Sequence, residues 1–456
     1  MIEFETDSRK VKPGQTFVAI KGYTVDGHDY IDSAIKNGAT KIIAERNVDC
    51  SVPVEVVKDT KLYLNEELVK KYSKDFENLK IIGITGTNGK TTTAYLLYQF
   101  LNKLGNKTAY IGTIGFYYED YMKELPNTTP DILSLYNLLY EAMEHNCTTV
   151  VMEVSSHSLE EKRIEGIRFD RAAFTNLTQD HLDFHKTMEN YLNAKLKILN
   201  YLKPDGVLVL NNDDNYAHNF MDNSFEKITI GFSDGASIKV ENVDYSITNT
   251  KIDFIENKEK YSVETNLLSK FNVYNYLTCY AILKSLKYSF EDIKKVTKVV
   301  YPPKGRCEII RVNNGIAVVD YAHTPDAVEK IISTFDELEK NRIITIIGCG
   351  GDRDPVKRPI MGKMACKLSD YVIFTNDNPR TEDPKKIMDD IVRNIGYTNY
   401  EIVFDRKEAI FKGLNMIDDN DILLVLGKGH ENYQIIGREK VHFDDCETIK
   451  SWKDEN

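Results

Sequence analysis

Residues 81–105, IIGITGTNGKTTTAYLLYQFLNKLG, leave little choice of local structure. An apolar run, a glycine-bearing turn and an apolar pattern at helical spacing predict a strand, a tight turn and a helix. The turn is Gly86-Thr87-Asn88-Gly89-Lys90-Thr91-Thr92. Glycines let backbone N–H groups face a phosphate chain, and the helix N-terminus adds its partial positive charge. Lys90 is placed to reach the β- and γ-phosphates of ATP, and Thr91 to ligate Mg2+. The loop departs from the usual phosphate loop, because the first glycine of G-x-x-x-x-G-K falls at Ile84. A tight turn with a chance lysine is the competing reading, and the strand–turn–helix context argues against it.

The rest of the chain repeats this alternation. Buried-strand candidates TTVVMEV, AAFTNL, GVLVLN and KITIGF follow, with helical stretches between several of them. That order predicts an α/β protein with a parallel sheet covered on both faces. Residues 235–265 alternate like antiparallel hairpins, and FNVYNYLTCYAILKSL reads as a helix. After YPPKGRCEII come IAVVDYA, RIITIIG, YVIF and DILLVLG, each followed by a polar loop and a helical pattern, which predicts a second doubly wound unit. The first part mixes the short strands FVAI, KIIAE and VEVV with a helix over 31–37. The charged run KKYSKDFENLK reads as a linker that closes it. Three domains are therefore expected, over 1–78, 79–300 and 301–456.

The bulk numbers narrow the function. The 456 residues are 42% hydrophobic and 28% charged, as in a soluble globular protein. No window has the roughly 18 apolar residues that span a bilayer, and MIEFETDSRK is not a secretory signal. The seven cysteines are scattered without a CxxC pair, a reduced, cytoplasmic pattern. The net charge of −11 argues against a general nucleic-acid binder. The expected protein is a cytoplasmic monomer with no nucleic-acid or membrane partner.

Two further constellations carry chemistry. MEVSSHSLEEKR puts Glu153 at a strand end, as a hard oxygen ligand. TNLTQDHLDFHKTMENYLNAK adds Asp180, His181, Asp183 and His185, with Lys195 in a small-residue turn. Taken alone, the histidines read equally as surface or capping residues. In the third domain, Asp320 and His323 end a strand, where open α/β sheets bind ligands, although Asp320 also suits a turn cap. Three more strand-end loops, GCGGDRD, TNDNPRTED and LGKGHEN, carry Arg353, Arg380 and Glu431. If the sheet order brings them together they suit a zwitterion, with the carboxylate on the guanidinium forks and the ammonium on the glutamate.

TGTNGKTT resembles the ATP-binding signature of the Mur ligase family, which folylpolyglutamate synthetases share. The resemblance extends over nearly the whole chain. It implies a small UDP-binding α/β domain first, a central ATPase-type domain with an added antiparallel segment, and a Rossmann-like domain that binds the amino acid. It implies that Glu153 and His181 hold a second Mg2+ and that Lys195 is carbamylated on its ε-nitrogen. Lys90, His181 and Lys195 are then the catalytic residues. Asn272, Asn275, Arg306, Asp320 and His323 match the family's ATP-binding positions. TDSRKVKPGQTF resembles its UDP-binding segment, with Ser8 on the uridine. Asn127, Thr128, Thr129, Ser155 and Arg163 match its contacts to the muramyl peptide. Glu161 departs, since a related position is often glutamine, and Pro355 and Val356 are also less typical.

The family member that adds the third residue of the stem peptide matches best. The implied reaction joins meso-diaminopimelate to UDP-N-acetylmuramoyl-L-Ala-D-Glu, with ATP and Mg2+, through an acyl phosphate and with domain closure. The DNPR motif implies the amino-acid site: Arg353, Asp377, Asn378, Pro379, Arg380, Gly427 and Glu431. Lysine-adding relatives lack that arginine, and diaminopimelate has a second carboxylate for a bidentate cation to read. A lysine-adding ligase, a folylpolyglutamate synthetase and a nucleotide switch without chemistry are the alternatives. The N-terminal domain argues against the second, and Glu153, His181 and Lys195 against the third.

Overall fold

The computed structural model describes residues 2–455 apart from 23–24, 222–223, 247–248, 313–314, 337 and 339. It divides into two compact units, Met1–Ile228 and Thr229–Asn456.

The first unit opens with a four-stranded parallel sheet of β1 (Phe4–Glu5), β2 (Thr16–Val18), β3 (Lys41–Ala44) and β4 (Val54–Val56). Helix Thr60–Tyr72 follows, capped by Asp59, whose side chain accepts from the Leu62 N–H. The expected linker is no linker. Its first residues finish this helix, Ser73–Phe76 forms a 3-10 turn, and Phe76 and Leu79 are buried in the core. Phe76 packs edge-on against Tyr136, with ring centroids 5.0 Å apart. Two apolar side chains among the charges fix a segment that composition alone reads as free.

The second sheet of this unit contains β5 (Lys80–Thr85), β6 (Thr108–Gly112), β7 (Gly115–Tyr118), β8 (Tyr121–Lys123), β9 (Thr149–Glu153), β10 (Phe169–Phe174) and β11 (Leu202–Asn211). The spatial order is β11-β10-β5-β9-β6-β7-β8, parallel through β6 and antiparallel beyond it. Because β5 lies between β10 and β9, the carboxyl ends of three neighbouring parallel strands face the same edge. Open α/β sheets bind ligands at such reversals of strand order. The parallel strands β5, β6 and β9 are almost fully buried, as expected for parallel strands covered on both faces.

In the second unit, β13 (Ile238–Tyr245), β14 (Thr250–Glu256) and β15 (Glu259–Thr265) form the expected antiparallel meander. Helix Lys270–Ser285 follows, capped by Ser269. The last sheet has β16 (Glu308–Val312), β17 (Gly315–Asp320), β18 (Ile343–Ile347), β19 (Tyr371–Phe374), β20 (Tyr400–Ile402) and β21 (Ile422–Leu426), in the order β16-β17-β21-β18-β19-β20. All pairs are parallel except β16 with β17. A hairpin of β22 (Tyr433–Ile436) and β23 (Glu439–His442) follows, which the sequence pattern did not suggest. Among the described residues no helix is long and apolar enough to cross a membrane.

Candidate active site

The turn after β5 is held open by β10. Gly86 has φ 147°, and a Cβ there would lie 1.9 Å from Thr175 Oγ1, so only glycine fits. Thr87 N–H donates to the Asn176 carbonyl (2.8 Å) and Asn88 N–H to Asn176 Oδ1 (2.9 Å). Thr175 Oγ1 donates to the Asn88 carbonyl at 2.6 Å. These bonds supply the shape that a longer glycine-rich loop gives itself. Gly89 (φ 83°) starts helix Lys90–Lys103, whose first N–H groups point out of the turn. Lys90 Nζ lies over the turn, donating to the Gly86 and Thr87 carbonyls at 3.0 and 2.9 Å. Thr91 and Thr92 are buried in the first helical turn.

Glu153, fully buried at the end of β9, accepts from four groups. Tyr110 Oη (2.5 Å) and Thr113 N–H (2.8 Å) donate to Oε1. Thr91 Oγ1 (2.9 Å) and Thr113 Oγ1 (3.2 Å) donate to Oε2. The phosphate turn and the acidic strand end are thus joined through Thr91.

Lys195 does not lie in a turn. It is in helix Met188–Leu196, which Thr187 caps at the Asn190 N–H, and it belongs to the helix's buried face with Tyr191, Leu192 and Ala194. Small residues around a lysine suit a helix as well as a turn, and alanine prefers the helix. Its side chain is 1% exposed. Nζ donates to the Gly86 carbonyl at 2.8 Å and lies 4.6 Å from the Tyr191 ring centroid. Burial first, and Lys90 second, push its pKa well below the usual lysine range.

The two histidines separate. His185 is buried and stacked on Tyr191, with Nε2 2.9 Å from Ser156 Oγ, and burial lowers its pKa to about 4. It is a satisfied core histidine. His181, half exposed at φ 53°, stands 3.4 Å from Asp180 and edge-on to His157. Burial lowers its pKa, so the ring favours its neutral, ligating form. Among the described residues no three His, Cys, Asp or Glu side chains form a ready metal cage. Mg2+ does not need one, because it is held by one or two carboxylates together with substrate phosphates. Glu153 and Thr91, joined at 2.9 Å, supply oxygen donors of that kind, so the residues fit the ion.

A cavity of about 1070 Å3 in the first unit is lined by Ser8, Lys21, Tyr30, Lys61, Asn127 and Arg163, among others. Arg163 is held by Glu161, through Nε (3.0 Å) and Nη2 (2.9 Å), and by the Thr129 carbonyl, through Nη1 (3.0 Å). Thr129 Oγ1 donates to the Glu153 carbonyl (2.9 Å) and receives the Ser155 N–H (3.0 Å). The Thr128 and Thr113 hydroxyls are 3.0 Å apart. The cavity wall therefore runs by hydrogen bonds to the acidic strand end. Ser155 also caps helix Ser156–Glu160.

In the second unit the order β17-β21-β18-β19 brings the expected loops together. Asn378 Nδ2 donates to Glu431 Oε2 (2.8 Å), and its carbonyl accepts from Gly351 N–H (2.9 Å). Arg380, at φ 53°, donates through Nη1 to the Gly351 carbonyl at 2.7 Å. A Cβ on Gly351 would lie 1.9 Å from the Pro379 carbonyl oxygen, and one on Gly427 2.7 Å from Asp377 Oδ2. The hairpin completes the support: Arg380 N–H donates to the Ile435 carbonyl (2.9 Å), and Gly437 N–H to the Arg380 carbonyl (2.7 Å). Sequence reasoning missed that support, and also Lys428, fully buried and 3.2 Å from Glu431. Arg353 is exposed on the neighbouring loop.

The expected ATP positions of this unit divide. Asn272 and Asn275 are buried, and Asn275 Nδ2 donates to Asn272 Oδ1 at 2.9 Å. Asp320 accepts from the Cys307 and Ala322 N–H groups, each at 2.8 Å, the arrangement of a turn cap. Arg306 stacks over the Tyr321 ring (4.7 Å), and the His323 ring lies against the same tyrosine (4.5 Å).

Comparison with known proteins matches three segments in order. Residues 4–77 match the catalytic domain of the Mur ligase family, 84–283 the Mur ligase middle domain and 305–429 the Mur ligase glutamate ligase domain. The chain is 43% identical to the UDP-N-acetylmuramoyl-L-alanyl-D-glutamate--2,6-diaminopimelate ligase of Fusobacterium nucleatum, over 98% of its length and 92% of the relative's. It is 42% identical, with the same coverage, to the protein of that name from Bacillus cereus. A solved structure of such a ligase superposes with a TM-score of 0.73, at 32% identity, over 99% of this chain and 94% of the other.

Proposed function

The chain belongs to the Mur ligase family of ATP-dependent, Mg2+-using, amide-bond-forming ligases of peptidoglycan synthesis, and from that premise we propose which bond it makes. It adds meso-2,6-diaminopimelate to the D-glutamate γ-carboxylate of UDP-N-acetylmuramoyl-L-Ala-D-Glu. The observation that carries this reading is the clamped Arg380. Its backbone is tied to the hairpin and its guanidinium to the Gly351 carbonyl, beside Asn378 and Glu431. A fixed guanidinium recognises a planar carboxylate bidentately. Diaminopimelate has a far carboxylate, and lysine has none. Lysine would leave this half-buried, fixed fork unmatched, a loss that discriminates against it.

The cavity of Ser8, Asn127 and Arg163 holds the nucleotide-peptide, and its hydrogen-bonded wall leads the D-glutamate end towards Glu153. Lys90 and the helix N-terminus hold the phosphates of ATP. The γ-carboxylate attacks the γ-phosphorus, ADP leaves, and an acyl phosphate forms. The amine of the amino acid then attacks the acyl carbon, phosphate leaves, and the nitrogen gives up a proton. Each step moves negative charge onto oxygens that Lys90 and the N-terminus of helix Lys90–Lys103 stabilise. Thr91, Glu153, His181 and the Lys195 carbamate would hold Mg2+, which supplies charge neutralisation for the phosphoryl group. On Lys195 the neutral amine adds CO2 and releases one proton, turning a buried amine into an anionic donor. Arg353 and Glu431 take the amino acid's near carboxylate and ammonium, and Lys428 holds Glu431 in place. Asn272, Asn275, Arg306, Asp320 and His323 are the second unit's candidate ATP contacts. Phosphate release with each diamino acid in turn tests the assignment.

A further inference from the structure

We propose that Tyr110 is a positioning residue that decides which oxygen of Glu153 meets the cation. The inference rests on the reading of Glu153 as a metal ligand.

The two carboxylate oxygens have different kinds of partner. Oε1 is bound by the Tyr110 hydroxyl (2.5 Å) and by the Thr113 N–H (2.8 Å). Neither can turn away. The N–H belongs to the backbone, and the phenol belongs to a packed ring. Tyr110 is fully buried, with Tyr95 and Tyr117 edge-on at 5.8 Å and Tyr98 tilted at 6.3 Å. Among the described residues Oε2 is bound only by hydroxyls, of Thr91 (2.9 Å) and Thr113 (3.2 Å). A threonine hydroxyl can rotate its hydrogen aside and present a lone pair instead. Oε2 is therefore the oxygen that can exchange a hydroxyl donor for a cation, with Thr91 moving from donor to co-ligand. Oε1 stays fixed and orients the group.

The backbone makes room for this bond. A Cβ on Gly112 would lie 2.2 Å from the Tyr110 hydroxyl and 2.3 Å from Glu153 Oε1. The strand pairing of β6 with β9 places the tyrosine beside the acidic strand end, with Ile111 opposite Met152. Partners behind a metal ligand typically change metal affinity about 10- to 100-fold when removed. Tyr110 is of that kind, because it touches neither substrate nor cation.

The test uses the full-length enzyme with a non-hydrolysable ATP analogue and Mn2+ as probe, free Mn2+ being read by electron paramagnetic resonance. Tyr110→Phe keeps the ring and removes only the hydroxyl. It weakens the Glu153-dependent Mn2+ site about tenfold and raises the Mg2+ needed for half-maximal turnover by a similar factor. Saturating Mg2+ restores kcat, which a general packing defect does not allow. Gly112→Ala keeps the phenol but forces the pair apart, and gives the same loss of Mn2+ affinity. Unchanged Mn2+ affinity in either folded variant, or a kcat that no Mg2+ concentration restores, overturns the role of Tyr110. Glu153→Gln is the control. If it abolishes the site while Tyr110→Phe binds normally, only the tyrosine's role fails. If it too leaves Mn2+ binding unchanged, the metal reading of Glu153 fails, and the role of Tyr110 with it.

Discussion

Lys90 and Lys195 donate to the same atom, the Gly86 carbonyl oxygen, at 3.0 and 2.8 Å. Two ammonium groups that close repel each other, and the buried one yields. Lys195 is the buried one, and its pKa is driven down by burial and by Lys90. That shift favours the neutral amine, the form that adds CO2. Lys195→Ala is therefore expected to lose about 100-fold or more in kcat, a charge-stabilising group of the site being gone. A short carboxylic acid diffusing into the space restores part of it. Steady-state rates with and without added acetate check this, and a fully active variant would show that Lys195 is not the metal bridge.

Arg380→Ala is expected to raise KM for diaminopimelate about 10- to 100-fold, the range of a lost charged hydrogen bond, and to leave KM for ATP nearly unchanged. Arg380→Lys does not rescue it, because an ammonium lacks the planar fork. Initial rates over a diaminopimelate series measure both effects, and unchanged diaminopimelate kinetics in Arg380→Ala would sink the assignment.

Glu161 Oε2 holds the Nε–Nη2 edge of the Arg163 guanidinium, and Lys61 lies 3.7 Å from the same oxygen. Glu161→Gln keeps the shape and removes the charge. The expected result is a KM for the nucleotide-peptide raised about threefold to tenfold, with kcat little changed, since binding rather than the transition state is touched. An altered kcat at constant KM would contradict the placement of Arg163 in the cavity wall.

How much of this was legible beforehand depended on whether the signal was local. The β5 turn and helix are encoded in consecutive residues, and so are the strand-end loops. The support around them is not. Thr175 and Asn176 shape a turn almost ninety positions away, and only the pairing of β10 with β5 brings them there. Tyr110 reads as one more apolar strand residue until β6 is seen beside β9. Asn193 and Ala194 suit both turn and helix, so the residues beside Lys195 do not fix its local structure, which is helical. The linker failed for a similar reason, its two buried side chains being outnumbered by charges.

One buried cation ties the strand-end loops around Gly350 and Glu382 to the core. Arg358, 1% exposed, forks onto Glu382 with two 2.7 Å bonds and reaches Asp390 at 3.0 Å. Arg358 holds the Glu382 carboxyl down at about 2. Since the folded value lies below the ordinary one of roughly 4.3, the pair's stability is fully present above that pH and is lost as pH falls towards 2. Melting temperature against pH is expected to drop over that window, and less steeply in Glu382→Gln. Arg358→Ala, which leaves Glu382 without its cation while Asp390 keeps Arg393, costs about 3 kcal/mol.

Phosphate release by the purified enzyme, given ATP, Mg2+ and UDP-N-acetylmuramoyl-L-Ala-D-Glu, tests the central claim most directly. The prediction is release that depends on meso-diaminopimelate, with kcat/KM for lysine lower by about 100-fold or more. Equal turnover with lysine, or release that needs no nucleotide-peptide, would contradict it.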